Sequence, residues 1–194
     1  MENLNKSNEE KLNINLKESA LVLIDLQKGV TSVDLKPHSS EEIINNVNKL
    51  IEKFKKENGF IAFVKSSFVD DKDALPADIK LRSISKVKGE EFDKFDDRLN
   101  IKENDYKIIK RSFSAFFGTD LDFELRRHKI KNVIFAGVST HVGIDTAARD
   151  AYQFNYKVYF LEDAISAPKK KLHDFEIKEI LPLFGDVIKT EDIL

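Results

Sequence analysis

Val133-Ile134-Phe135-Ala136-Gly137-Val138-Ser139-Thr140-His141-Val142-Gly143-Ile144-Asp145-Thr146-Ala147-Ala148-Arg149-Asp150-Ala151-Tyr152 reads as a strand, a turn and a helix. Residues 133–136 are a short unbroken apolar run, the pattern of a central parallel strand covered on both faces. From about residue 142 to 154 the pattern turns helical, and Ala147, Ala148 and Ala151 are small enough to let that helix lie close on a sheet. Val138, Ser139, Thr140 and His141 form the turn between them.

Working outward, the same strand signal recurs. Ala20-Leu21-Val22-Leu23-Ile24 ends at Asp25, and further runs lie at residues 60–64, 107–109 and 158–161, with a weak last strand at 186–189. Helical patterns fill the gaps. Ser39 or Ser40 can cap a helix that opens with Glu41 and Glu42 and carries Ile43, Ile44, Val47, Leu50, Ile51 and Phe54 at helical spacing, with Gly59 as its stop. Thr119 reads as an N-cap followed by Asp120 and Asp122, and residues 173–183 also look helical. Strands alternating with helices predict a three-layer α/β/α fold around a mostly parallel, Rossmann-like sheet of about six strands with right-handed crossovers. Residues 70–105 are charged and poor in periodicity, and read as an elaborated connection bordering the site. The whole chain, 1–194, is expected to form a single domain, with 1–15 a flexible or loosely packed N-terminal extension.

Composition narrows the function classes. The net charge is −2 with no basic block, so neither nucleic acid nor an anionic membrane surface is an expected partner. No apolar run approaches a membrane span, and the Asn-, Glu- and Lys-rich N-terminus has no apolar signal core, so a cytoplasmic location is the default expectation. The chain has no cysteine, which excludes disulfides, thiolate metal sites and thiol nucleophiles.

Parallel sheets gather ligands at the carboxyl ends of their strands. Asp25, Lys110 and Gly143 all fall at such ends. A carboxylate after five apolar residues is partly desolvated, which raises its pKa and suits it to proton transfer; a strand-end cap is the plainer alternative. Lys110 could hold a substrate carboxylate or that of Asp25, or simply reach water, and Arg111 is its rival for the inward position. The backbone of residues 138–141, at a helix start, can bind an anion or a developing oxyanion. The hydroxyls of Ser139 and Thr140 read best as caps, and His141 as either a pocket-rim or a solvated residue. Phe116 or Phe117 could form a pocket wall. Arg149 and Asp150 suit structural roles, and Glu162-Asp163 a loop cap. His38, His128 and His173 are scattered without ligand spacing, and no Gly-rich phosphate loop is present, so neither a metal nor a cofactor is expected.

Lys110-Arg111-Ser112-Phe113-Ser114-Ala115-Phe116-Phe117-Gly118-Thr119-Asp120-Leu121 and residues 137–152 together resemble the isochorismatase-like hydrolases, most of which are cysteine hydrolases; the resemblance runs from about residue 18 to 163. It implies catalytic roles for Asp25 and Lys110, the latter selected over Arg111 because it stands four residues before Ser-Ala-Phe. Gly143 would occupy the position of the family's nucleophilic cysteine. Val138, Ser139, Thr140, His141 and Phe116 would border the substrate, and a non-proline cis peptide would fall between Val138 and Ser139. Related nicotinamidases hold a metal through an Asp-x-His cluster after the second strand, where residues 64–71 here contain no histidine.

True isochorismatases also carry glycine at the cysteine position and hydrolyse a vinyl ether, with the aspartate as general acid. They draw Gln and Arg from the region after the second strand, where residues 66–83 offer only Arg82. The resemblance therefore implies a cysteine-independent hydrolase of a small anionic substrate. The alternative is a binding or regulatory protein on the same frame. Relatives often assemble, so a homo-oligomer, dimer or tetramer, is expected. One tension accompanies this reading: a nearby Lys110 ammonium would lower the pKa of Asp25, whereas an acid catalyst needs the protonated form.

Overall fold

Strand β1, Ser19–Ile24, is buried along its whole length. Successive side chains on a strand point to opposite faces. Ala20, Val22 and Ile24 accordingly enter one apolar core, and Leu21 and Leu23 the other. A strand buried on both faces needs a helical layer on each. The computed structural model, which describes residues 14–68 and 91–194, has that arrangement.

The remaining strands are β2 (Phe60–Ser66), β3 (Lys107–Lys110), β4 (Asn132–Val138), β5 (Lys157–Ser166) and β6 (Asp186–Ile188). They form one six-stranded parallel sheet in the order β3-β2-β1-β4-β5-β6. The helices are α1 (Lys28–Thr31), α2 (Ser40–Lys56), α3 (Leu121–Arg127), α4 (Asp145–Gln153) and α5 (Lys170–Phe175). Helix α2 covers the face of Leu21 and Leu23, while α3 and α4 cover the face of Ala20, Val22 and Ile24.

Helix α2 follows its sequence closely. Ser39 and Glu42 form a reciprocal capping box, and the six apolar residues from Ile43 to Phe54 are buried. Each such side chain contributes about 1.5–3 kcal/mol when fully buried, so this face holds the layer in place. The left-handed residue that ends the helix is Asn58 (φ 57°) rather than Gly59. The Gly59 N–H closes the last turn on the Phe54 carbonyl at 2.8 Å. At α3 the N-cap position is Asp120, one residue later than expected, but the Thr119 hydroxyl still accepts the Leu121 N–H at 3.3 Å.

Three further departures bear on function. The helix after β4 opens with a π-helical turn, Thr140–Ile144, before α4 begins. The expected helix 173–183 is instead α5, a π-helical turn (Glu176–Ile180) and a 3-10 turn (Leu181–Leu183). Strand β5 continues to Ser166, and its register to β4 jumps: Phe135 pairs with Phe160, but Gly137 pairs with Ile165. Two steps on β4 thus match five on β5, and the surplus forms a bulge containing Glu162 and Asp163.

Residues 1–13 of the expected extension and 70–90 of the expected connection, with residue 69 before it, lie outside the described residues. Residue 14 onward is already structured, with Asn15 capping a 3-10 turn at Leu16–Glu18 and Ile14 packed on the core. Among the described residues no helix is long and apolar enough to cross a membrane.

Candidate active site

β1 delivers Asp25 in a left-handed backbone conformation, φ 53°. This is uncommon for a residue with a side chain and best tolerated by Asp and Asn. Its N–H bonds to the Val64 carbonyl at 2.9 Å, which ties the turn to β2. On β3, an edge strand, Lys107 and Ile109 are exposed while Ile108 and Lys110 are buried. Period-two alternation therefore carries the lysine inward on the face of Ile108. Arg111 is exposed.

Lys110 Nζ lies 2.8 Å from Asp25 Oδ2, with side-chain exposures of 2% and 13%. The ammonium also donates to the carbonyls of Phe113 at 3.0 Å and Ser112 at 3.3 Å. Those three acceptors match the three N–H groups of a lysine. Lys110 is thus the counter-ion of Asp25. Asp25 Oδ1 accepts from the Ser66 hydroxyl at 3.1 Å. Burial pushes the Asp25 carboxyl above its ordinary pKa; the Lys110 charge, with smaller help from Ser66, offsets only part of this. The electrostatic tension visible in the sequence is resolved in favour of desolvation.

Two glycines bring the third element in. Gly137 has φ 122°, and a Cβ there would lie 2.0 Å from the Ile24 carbonyl oxygen. Only glycine lets β4 approach β1 this closely just before Asp25. At Gly143 a Cβ would start 3.6 Å from Asp25 Oδ2, 3.5 Å from the Val138 carbonyl oxygen and 3.1 Å from Ile24 Cγ2. The position therefore faces the Asp25 carboxyl and bears no side chain. Asp25, Lys110 and Gly143 do converge.

The turn between β4 and α4 contains a cis peptide between Val138 and Ser139, as the family resemblance implied. The Ser139 carbonyl accepts from the N–H groups of Val142 (3.1 Å) and Ile144 (3.2 Å), the second of these closing the π-helical turn. Val138 and Thr140 are buried. The Ser139 hydroxyl pairs with His141 Nδ1 at 2.8 Å, and the Thr140 hydroxyl with His173 Nδ1 at 3.0 Å. Burial lowers the pKa of half-buried His141, against a smaller opposite pull from Asp145. It also lowers that of His173, with His38 acting in the same direction and Glu162 against.

Phe116 is a correction. It is 6% exposed and packs in the core, its ring 5.5 Å from Phe154 and 6.2 Å from Tyr156, so it serves packing and not a pocket wall. Phe117 beside it is 68% exposed. Arg149 pairs with Asp145 at 2.9 Å, and Asp150 accepts from the Ser114 hydroxyl, both structural contacts. Asp163 caps the turn at Thr190, accepting from its N–H at 2.8 Å and its hydroxyl at 2.9 Å.

Sequence reasoning missed Gln27 and Ser66. Gln27 is fully buried; its amide donates to the carbonyls of Ser66 and Phe92, both at 3.0 Å, and its oxygen accepts the Ser66 N–H at 2.8 Å. It thereby holds the residue that donates to Asp25. A glutamine three residues past a buried strand was the available signal. The sequence also treated His38 and His173 as scattered, but both approach Glu162. A surface cleft of about 370 Å³ lined by Lys17, Lys55, Asn58, Gly59, Phe60, His128 and Ile130 includes residues at the start of β2. Ligands of parallel sheets gather at the other ends of the strands.

Residues 19–192 match the family model described as the isochorismatase domain. The chain belongs to the isochorismatase family of hydrolases. It is 37% identical over 185 residues to the uncharacterized isochorismatase family protein YwoC of Bacillus subtilis, covering 94% of this chain and 96% of that one. It is 34% identical to YecD of Escherichia coli O157:H7, also described as an uncharacterized isochorismatase family protein, with 94% and 98% covered. Among solved structures, an isochorismatase family protein from Burkholderia thailandensis superposes with a TM-score of 0.87 at 30% identity, covering 94% of this chain and 95% of that one.

Proposed function

We propose that this chain hydrolyses a small anionic substrate by acid catalysis without a covalent intermediate, the Asp25 carboxyl donating the proton and Lys110 serving as its charge partner. The supporting observation is the empty side-chain position at Gly143, whose Cβ direction starts 3.6 Å from Asp25 Oδ2. Where most of the family carries a thiol, this chain leaves room beside the acid. Amide hydrolysis through a thioester has no nucleophile here, because the chain has no cysteine. Vinyl-ether hydrolysis of the isochorismate type needs none.

In that reaction the Asp25 proton passes to the terminal enol-ether carbon and leaves an oxocarbenium ion. Water adds to the ion and returns a proton to Asp25. The resulting hemiketal then collapses to pyruvate and the ring alcohol. Burial of Asp25 favours this role because it raises the population of the protonated donor at a given pH. In this reading the amides opening the helix at Thr140 and His141 would bind the substrate anion.

Pyruvate release from isochorismate, measured in parallel for the wild type and Asp25→Asn, tests the proposal. The wild type is expected to turn over, with a loss of about 10²–10⁴-fold in the variant. The rate should fall as pH rises through the Asp25 pKa, since the acid form is the active one. Unchanged turnover in Asp25→Asn would remove the donor role. A wild type that releases no pyruvate would remove the vinyl-ether reading.

A further inference from the structure

His38, Glu162 and His173 meet in one cluster although they come from three distant elements. His38 Nε2 lies 3.1 Å from Glu162 Oε1, and His173 Nε2 lies 3.8 Å from the same oxygen. All three potential ligand atoms fall within 4.8 Å of one another. We propose that this cluster is a binding site for a divalent transition-metal ion, with Zn²⁺ as its simplest occupant, held by the two Nε2 atoms and the Glu162 carboxylate.

The spacing suits the ion. Ligands at about 2.0–2.1 Å in a tetrahedron stand about 3.4 Å apart, between the two distances to Glu162 Oε1, and with all three atoms within 4.8 Å of one another side-chain displacements on the order of 1 Å would close the shell. Two neutral imidazoles and one carboxylate leave a net positive charge on the ion and one open position, which water or an anion would fill.

Each ligand is anchored independently of the others. Glu162 stands in the β5 bulge, where the surplus residues leave the ladder. His38 follows Pro37, and the preceding Lys36 is clamped to Ala167 by reciprocal backbone bonds of 2.8 and 3.1 Å. His173 on α5 is 2% exposed, and its Nδ1 pairs with the buried Thr140 hydroxyl at 3.0 Å. A metal-ligating histidine is characteristically oriented in this way: its second nitrogen donates to a fixed acceptor, which leaves the other lone pair for the ion. Glu162 and His38 keep side-chain exposures of 28% and 22%, enough for an ion to enter. Thr140 also opens the turn that leads to Gly143, so the ion would brace one wall of the acid site from outside it. The cluster differs in place and composition from the nicotinamidase metal site, which follows the second strand.

The test is calorimetric titration of tag-free, EDTA-stripped protein with ZnCl₂. The expected result is saturation at one ion per chain and a rise in Tm on binding. His38→Ala and Glu162→Gln, both at partly exposed positions, should weaken binding at least tenfold, and Thr140→Val by about 10–100-fold through misorientation of His173. His128→Ala should bind as the wild type does. Because no cysteine is present to compete, Co²⁺ added to wild-type protein should give the intense visible bands of four- or five-coordinate cobalt, a readout that does not depend on any variant folding. Absence of saturable binding in the wild type, or equal affinity in His38→Ala and Glu162→Gln, would show a hydrogen-bonded imidazole–carboxylate cluster and overturn the proposal.

Discussion

Asp25 and Glu176 are both carboxylates withdrawn from water, and in both desolvation is the largest influence and raises the pKa. Their surroundings differ in kind. Asp25 has an ammonium at 2.8 Å and a hydroxyl at 3.1 Å. Glu176, 9% exposed, has no hydrogen-bond partner for Oε2 among the described residues. Asp145 pushes Glu176 further up, and Arg149, itself engaged with Asp145, pulls back only in part, leaving its pKa near about 7. Perturbation alone therefore does not mark the site. What distinguishes Asp25 is its furnishing: a strand end, a left-handed backbone, a dedicated counter-ion and a glycine opposite.

The comparison can be broken at its strongest contact. Lys110→Met removes the ammonium and leaves the Asp25 carboxylate uncompensated in a dry site. Stability at pH 7 should fall by about 3 kcal/mol, and the Asp25 pKa should rise further because its largest lowering influence is gone. The loss should shrink as pH falls and Asp25 takes up its proton. Urea unfolding at pH 7 and pH 5 reads both effects; an equal loss at the two values would mean that packing, and not charge, was removed.

A smaller effect is expected at the other carboxylate. The folded pKa of Glu176 is raised from 4.5 to about 7, so its contribution to stability is fully present below about 4.5 and is lost as pH rises through about 7. Glu176→Gln should flatten this dependence and stabilise the protein at pH 8 by about 2 kcal/mol, with little change at pH 5. A variant no more stable than wild type at pH 8 would show that Glu176 is better solvated than its burial implies.

Much of the fold could be read from local pattern. The strand runs, a serine cap at Ser39 or Ser40 and the apolar face of α2 are short-range features, and the structure contains them, with Ser39 as the cap. The site was legible in a different way. Nothing in the spacing of Asp25, Lys110 and Gly143 brings them together. Strand order does so, seating β3 beside β2 and β2 beside β1; from sequence, the rule that parallel sheets gather ligands at their carboxyl ends pointed there, and the family resemblance assigned the roles. The His38–Glu162–His173 cluster was not legible at all. His38 and Glu162 are separated by 124 positions, and their approach depends on a bulge that apolar periodicity does not encode. Phe116 was misjudged because a phenylalanine beside a catalytic motif reads alike whether it lines a pocket or fills a core. Gln27 was passed over although its position, buried and polar just after Asp25, was itself informative.

The central claim is that desolvation outweighs Lys110 at Asp25, which raises its pKa and enlarges the share of protonated donor at a given pH. Direct titration of the Asp25 carboxyl by ¹³C NMR, with its resonance assigned by its loss in Asp25→Asn, measures that balance. A pKa above the ordinary aspartate value of about 3.9 is the predicted result. A value at or below it would mean that the ion pair prevails, that the group stays a carboxylate, and that acid catalysis by Asp25 is not the chemistry of this site.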